Sequence, residues 1–373
     1  MIYLSIFNGI SAGRLALSRA GIKFDKYYIA EIDKLANKVS EFHYPDNIQL
    51  GDVNNWREWD IDWSNVGLVT AGFPCQSWSL AGKQLGDKDE RGKLFWTTLE
   101  IMSHVLENNP DAKFMLENVK MKKEFEEYIT LHTERALGYV NKTLINSSLL
   151  SAQNRQRYYW TNFEVIQPED KGILLKDIID DDSVADREKS YCIDANYSKG
   201  TNLNQYLSKS RRQIVFRPCE PRENIKQSKD GLIHVANASD IKGNEQIKRI
   251  YSDVGKAPTL STCQGGHREP KVAIRNKSKT VRSSGRNSYD RHEWDSISNC
   301  HYRKLTPTEC ARLQTFPDGW CENIISNSQS YKCYGNAWTV DVIAHIFKCA
   351  YRENKHEAIR PTVNYEQSCS ANI

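Results

Sequence analysis

The sequence predicts an α/β protein: a Rossmann-like nucleotide-binding domain with a second, smaller domain that is irregular and mainly β. Three observations carry this. Residues 1 to 164 alternate short apolar strands with amphipathic helices, the pattern of a parallel sheet with crossover helices. The first strand, Ile2 to Phe7, runs straight into Asn8-Gly9 and Gly13 and then a helix, Arg14 to Ala20, ended by Gly21. That βα turn is how such folds bring backbone close to a nucleotide, although a glycine turn also serves plain packing. From about Val165 to Tyr302 the alternation stops, and acidic runs (Asp180-Asp181-Asp182), short strand-like pieces and Gly/Ser/Asn clusters replace it. The expected division is 1–164 plus 303–354 as one domain, 165–302 as the second, and 355–373 as a flexible polar tail.

Bulk properties narrow the class. The chain has 373 residues, enough for two domains with real cores, and is 39% hydrophobic and 26% charged. No apolar run approaches the roughly 18 residues of a membrane span. Met1 to Phe7 is too short and too poor in basic residues for a signal peptide and is read as the first strand, with no domain expected before it. The ten cysteines form no Cys-x-x-Cys pair, so no zinc site and no metal is expected, and the thiols are expected to be reduced, in a cytoplasmic protein. The net charge of +4 is compatible with nucleic acid without requiring it. More informative is the cluster Arg268, Lys271, Arg275, Lys277, Lys279, Arg282, Arg286 and Arg291, set against only Glu269 and Asp290. It reads as a phosphate-binding surface or as a solvated polar loop.

The elements follow in order. A second strand, Tyr27 to Ile32, carries Glu31 near its end, where an acid about 20 residues past the glycine turn grips a ribose diol. The alternative is a helix-start charge, which Asp33 could equally supply. A helix over Ala36 to Phe42, a short strand over Ile48 to Leu50 and Gly51-Asp52-Val53 come next; Asp52 could accept a hydrogen bond from an adenine amino group. Trp56, Trp59 and Trp63 fall around a polar connection. The apolar run Val66 to Ala71 is a buried strand stopped at Gly72 and Pro74, with Cys75 on the turn that follows, in Pro74-Cys75-Gln76-Ser77-Trp78-Ser79. Leu80 to Lys93, rich in glycine and charge, suggests a lid beside that cysteine. A helix spans Leu94 to Leu106, and a strand over Lys113 to Leu116 ends at Glu117-Asn118-Val119, beside the Cys75 loop if the two strands are neighbours. After a helix over Lys122 to Leu137 and a strand over Tyr139 to Leu144, Gln153-Asn154-Arg155-Gln156-Arg157 opens a strand continuing over Tyr158 to Phe163. Arg155 and Arg157, two apart in extended chain, face one way and suit an anion, a carbonyl or a surface ion pair. Gly265-Gly266 lies in a turn-rich loop. Thr306-Pro307-Thr308-Glu309 is a capping box with Pro at N1, and Tyr334 to Thr339 leads into a last helix with Val340, Ile343, Phe347 and Ala350 on its apolar face.

Together these motifs resemble the DNA (cytosine-5) methyltransferases, along the whole chain except its variable middle. Phe7-Asn8-Gly9-x-x-x-Gly13 is similar to their first cofactor motif, in a form nearest the vertebrate de novo enzymes, which carry Asp where Asn8 stands. Glu31, Asp52, Pro74-Cys75-Gln76, Arg91-Gly92-x-Leu94-Phe95, Glu117-Asn118-Val119, Gln153-x-Arg155-x-Arg157, Leu305 to Pro317 and Gly335-Asn336 follow in the family's order. Asn8, and Ala337 where many members have Ser, depart from it and bear on cofactor affinity.

The resemblance implies a methyltransferase that moves a methyl group from S-adenosylmethionine to carbon 5 of cytosine in double-stranded DNA, releasing S-adenosylhomocysteine without a metal. Cys75 is the implied nucleophile at carbon 6, Glu117 the donor to N3, and Arg157, with Arg155, the holder of the ring O2 or the nearby chain. The implied cofactor residues are Phe7, Asn8, Gly9, Gly13, Glu31, Ile32, Asp52, Val53, Pro74, Leu94, Asn336, Ala337 and Trp338; Phe7 or Ile32 would cover the adenine and Trp338 close the methionine side. The implied DNA contacts are Gln76, Ser79 and Gln153 and, in the middle domain, Gly265, Gly266, Arg268, Lys271 and Arg275. A monomer is expected, with any cognate restriction endonuclease acting separately. A transfer RNA cytosine methyltransferase is the alternative, and the long middle domain argues for DNA.

Overall fold

The computed structural model describes residues 1–74, 90–201, 206, 208–216, 234–237, 249–252, 271–273 and 302–352. In chain order the strands are β1 (Ile2–Ile6), β2 (Lys26–Ala30), β3 (Ile48–Gln49), β4 (Val66–Gly72), β5 (Lys113–Val119), β6 (Asn141–Asn146), β7 (Gln156–Thr161), β8 (Ile214–Phe216), β9 (His234–Asn237), β10 (Arg249–Ser252), β11 (Lys271–Ala273) and β12 (Tyr302–Lys304). The helices are α1 (Ala12–Ala20), α2 (Lys34–His43), α3 (Glu90–Asn108), α4 (Lys123–Leu137), α5 (Pro307–Leu313), α6 (Asn327–Asn336) and α7 (Val340–Ala350). The chain divides into two compact units. One comprises Met1–Ile145, Gln156–Glu169 and Trp338–Ile373, the other Asn146–Arg155 and Asp170–Ala337.

The first unit is a seven-stranded sheet in the order β3-β2-β1-β4-β5-β7-β6. β1 pairs in parallel with β2 and β4, β4 with β5, and β7 runs antiparallel to β5. All five residues of β1 and the first six of β4 are buried, as strands covered on both faces must be, which is why they read as continuous apolar runs. The chain leaves β1 toward β2 and β3, then returns to lay β4 on the other side. The carboxyl ends of β1 and β4 thus flank the point where strand order reverses, the place such sheets hold ligands. Trp56 and Trp59, expected from sequence around a polar connection, are buried in the main core, Trp56 on a 3-10 turn over Val53–Glu58 and Trp59 at its end.

Some boundaries shift. α3 starts at Glu90, so residues 90–93 of the expected lid are helical, and its remainder lies outside the described residues. β5 continues to Val119 and places Glu117 within the strand. Tyr139 and Val140 precede β6.

In the second unit β8 pairs antiparallel with β12, and β10 lies between antiparallel β9 and parallel β11. The capping box forms as expected: Thr306 Oγ1 accepts from Glu309 N at 3.1 Å and Glu309 Oε2 accepts from Thr306 N at 2.7 Å. Residues 303–337 pack within this unit, because the 146–155 segment is tied to them: Ser151 Oγ and Gln153 Nε2 both donate to the Leu313 carbonyl. Among the described residues no helix is long and apolar enough to cross a membrane, and no group of three or more His, Cys, Asp or Glu side chains could hold a metal ion.

Candidate active site

The turn after β1 is held in an unfavourable conformation. Phe7, Gly9 and Ser11 have φ of 56°, 57° and 63°, and only glycine adopts that region readily. The strain is met by a dense set of bonds. Asn8 N donates to Ala30 O (3.1 Å), Ser11 N to Asn8 O (3.2 Å), and Asn8 Nδ2 to Ser11 Oγ (3.0 Å) and Ser40 Oγ (3.3 Å). Glu31 completes the clamp: Oε2 accepts from Gly9 N at 2.8 Å, and Oε1 accepts from Ile32 N and Asp33 N at 2.9 and 2.8 Å. The helix-start role belongs to Asp33, which caps α2 by accepting from Leu35 N and Ala36 N. Glu31 is therefore the residue that joins the first turn to the end of β2.

The residues present fit a nucleoside cofactor. Asn8 Oδ1 is buried with no hydrogen-bond partner, an acceptor left over beside a turn that already has its other bonds. Ile32, next to Glu31, is 72% exposed, an apolar surface unusual for its type. Asp52 Oδ1 accepts from Asn54 N and Nδ2, both at 2.9 Å. Leu94 lies half-buried on α3, and Pro74 follows Phe73, whose ring packs 5.3 Å from Phe95. Val53 belongs to the apolar core, which leaves its backbone rather than its side chain for a ligand.

At the next strand ends, β4 and β5 are neighbours in a register that sets Gly72 directly opposite Glu117. Glu117 is buried, and each carboxylate oxygen faces a donor: Arg157 Nε lies 3.1 Å from Oε1, and Trp338 Nε1 donates to Oε2 at 2.9 Å. Asn118, also buried, donates from Nδ2 to the Phe73 carbonyl at 3.2 Å and so fixes the chain two residues before Cys75. Asn118 was quoted in the sequence only as part of a motif; a lone amide after an apolar run carries no periodic signal. Cys75, Gln76 and Ser79 lie outside the described residues, as do Gly265, Gly266, Arg268 and Arg275; of Lys271 the backbone is described, in β11.

The structure also places Gly13, Gln153, Arg155, Asn336 and Ala337. Gly13 lies in the turn expected to bring backbone near a nucleotide or to serve plain packing; a Cβ there would run into the Tyr3 hydroxyl and meet Trp338 Cζ3 at 3.4 Å. Gln153, expected to touch DNA, is fully buried; its Oε1 accepts from Ile193 N at 2.9 Å, and burial leaves it no surface to offer. Arg155 is 4% exposed and holds nearby chain, one of the two roles expected for it, donating to the carbonyls of Ile193 (3.2 Å), Gly335 (3.3 Å) and Ala337 (2.9 Å). Arg157 meets the Glu117 carboxylate. Asn336 and Ala337 fall at the end of α6, a helix the sequence reading did not assign; Asn336 is exposed, while Ala337 is buried and its carbonyl also accepts from Gln314.

A family model described as C-5 cytosine-specific DNA methylase matches residues 1–352, and the chain belongs to that family. The chain is 28% identical to the orphan methyltransferase M.SPBetaI of Bacillus phage SPbeta, covering 92% of this chain and 96% of the relative. It is likewise 28% identical to the type II methyltransferase M.HhaI of Haemophilus parahaemolyticus, covering 92% of each. Among solved structures, the Entamoeba histolytica methyltransferase EhMeth aligns with a TM-score of 0.57 at 13% identity, covering 94% of this chain and 98% of that one. A Spodoptera frugiperda DNMT2 mutant aligns at 0.55 and 18%, covering 94% and 99%; at such identities the likeness concerns the fold alone. The family is described as acting on DNA, which supports the DNA reading over the RNA one.

Proposed function

We propose that this enzyme methylates carbon 5 of cytosine at specific sites in double-stranded DNA by covalent catalysis, with Cys75 as nucleophile, Glu117 as donor to N3 and Arg157 as the residue that holds ring O2. The observation that supports it is Glu117 in register with Gly72, three residues before Cys75, with Arg157 at its side. Carbon 5 of cytosine is a poor nucleophile. Addition of the Cys75 thiolate to carbon 6 makes the ring an enamine, whose carbon 5 can attack an electrophile. Negative charge that builds on the ring is met at N3 by the Glu117 carboxyl and at O2 by the Arg157 guanidinium. S-Adenosylmethionine, when bound, supplies the electrophilic methyl. Loss of the carbon 5 proton then expels the Cys75 sulfur. A base inside the duplex is beyond reach of these groups, so the target cytosine leaves the stack.

The cofactor residues in this reading are Phe7, Asn8, Gly9, Glu31, Ile32, Asp52, Pro74, Leu94 and Asn336, with the backbone of Val53. Glu31 carries the ribose, and its replacement by Ala is expected to weaken S-adenosylmethionine binding by about 2–4 kcal/mol, the scale of two charge-assisted bonds. Calorimetric titration checks this; unchanged affinity would reduce Glu31 to the backbone clamp it forms with Gly9.

Residues 165–302 are assigned the choice of DNA sequence, supported by their change of chain pattern and by the basic cluster around Lys271. Phosphate contacts position and base contacts specify. Single Ala replacements of Arg268, Lys271, Arg275 and the other cluster residues, with bisulfite mapping of a methylated library at two salt concentrations, test the assignment. A phosphate contact flattens the salt slope by about one unit with the motif unchanged. A base contact relaxes one position, at about 1–3 kcal/mol against the wrong base. If every variant kept both slope and motif, the cluster would be a solvated loop. The relatives' names, type II and phage orphan methyltransferase, support a role in restriction-modification or DNA protection. In this reading the enzyme acts as a cytoplasmic monomer without a metal, and any cognate endonuclease is a separate protein.

A further inference from the structure

We propose that Trp338 is a positioning residue for Glu117, setting the carboxyl that faces the target base, rather than only a wall of the cofactor pocket. The inference rests on the reading of Glu117 as the donor to N3. Its basis is one contact and the packing built around it. The indole Nε1 donates to Glu117 Oε2 at 2.9 Å, and an indole N–H can only donate, so Oε2 is fixed as an acceptor. Arg157 Nε, 3.1 Å from Oε1, holds the other oxygen, and two anchors on opposite atoms define the plane of the carboxyl as well as its place. One anchor alone would leave it free to rotate about its last bond, whose torsional preference is broad.

Two glycines border this arrangement. A Cβ on Gly72 would lie 2.7 Å from Trp338 Nε1 and 3.0 Å from Glu117 Oε2, in the space of the hydrogen bond itself. At Gly13 a Cβ would meet Trp338 Cζ3 at 3.4 Å besides the Tyr3 hydroxyl. Tyr3 is in turn pinned by its bond to Thr70 Oγ1 at 2.8 Å, so the wall on that side does not yield. The glycine that ends β4 thus admits the ring whose N–H reaches the acid, and Gly13 lies in ordinary contact with the far edge of that ring. Positioning of this kind matters because a donor displaced from its line to the base loses much of its effect on the rate.

The experiment compares Trp338→Phe, which keeps an aromatic ring and removes the donor, with Gly72→Ala, which keeps the indole and fills the space it shares with Glu117. Single-turnover methyl transfer on duplex DNA is measured at saturating S-adenosylmethionine, and cofactor affinity by calorimetry on the same full-length proteins. Both variants are expected to slow transfer by about 10- to 100-fold, the scale of one hydrogen bond to a charged group, with cofactor affinity within about threefold of wild type. Trp338→Phe is then combined with Glu117→Gln. Because Trp338 acts through Glu117, the indole deletion is expected to cost little further in that background. An unchanged single-turnover rate in Trp338→Phe, a loss confined to cofactor affinity, or the same loss in the Glu117→Gln background would each overturn the proposal. Full activity of Glu117→Gln alone would instead overturn the reading of Glu117, so the two failures are distinguishable.

Discussion

Replacing Cys75 with serine is expected to abolish methyl transfer, by about four orders of magnitude or more, as removal of a nucleophile does elsewhere. Two properties of sulfur make serine inadequate. A free thiol ionises near pH 8.5, so a fraction of it is already thiolate at neutral pH, and sulfur is intrinsically more nucleophilic than oxygen. A serine hydroxyl at the same point would need a strong base to attack carbon 6. Cofactor affinity is expected to stay near wild type, since Cys75 is not among the residues proposed to hold the cofactor. Incorporation of labelled methyl into duplex DNA, with calorimetric binding of S-adenosylmethionine as the control for folding, decides it. Activity within about tenfold of wild type would end the assignment of Cys75 as nucleophile. DNA carrying 5-fluorocytosine gives an independent reading. The fluorine cannot leave as a proton, so the wild-type enzyme should remain attached through Cys75 and the serine variant should not.

Much of the first unit was legible because its signals are local and periodic. Buried parallel strands announce themselves as apolar runs bounded by glycine and proline, and β1 and β4 were found that way; the last helix showed itself by an apolar face at helical spacing. The order of strand, glycine turn and helix gave the first βα unit, whereas the pairing of β4 with β5 was left as a condition that the structure meets. What the chain does not encode locally was missed. Arg155 and Arg157 look alike two residues apart, yet one is buried on three carbonyls and the other meets Glu117. That difference is set by residues more than thirty positions away. Gln153 looked like a polar side chain free to reach DNA, and only its long-range bonds to Leu313 and Ile193 reveal it as buried. Helix α6 escaped because Asn327-Ser328-Gln329-Ser330 has no apolar period and it ends in Gly335-Asn336. Gly13 shows a further limit: the side chains that crowd its Cβ position, Tyr3 and Trp338, are ten and more than three hundred positions from it, so no local pattern names them.

Removing Arg303 is expected to be the most damaging single change to the second unit. Glu309 completes the α5 capping box, but it is fully buried, and a carboxylate so placed needs more than one backbone amide. Arg303 supplies the charge: Nη2 and Nη1 donate to Oε1 and Oε2 of Glu309 at 2.7 and 2.8 Å. The same guanidinium grips Asp181, Nη2 to Oδ1 at 2.7 Å and Nε to Oδ2 at 3.0 Å, so one arginine joins β12, α5 and the acidic run. Burial pushes the Glu309 carboxyl up, yet Arg303 and the amides of Thr306 and Asp180 outweigh it and hold it below its ordinary value; Arg303 first, then Ser183, holds Asp181 well below its own. Arg303→Met keeps most of the aliphatic stem and strands the Glu309 charge, and a loss of about 3–5 kcal/mol is expected, the cost of breaking a buried pair from one side. The pH dependence has a definite sign. Carboxyls depressed in the folded state stabilise it fully above their unfolded values, about 4, and the contribution is lost as pH falls through the folded ones. The gap between wild type and variant should therefore be complete at neutral pH and narrow on acidification below about pH 4, because a protonated Glu309 no longer needs its partner. Urea denaturation of both proteins at neutral pH and near pH 3.5 measures it. Equal midpoints at neutral pH, or a gap that does not change with acid, would show that the capping box and backbone amides alone sustain Glu309.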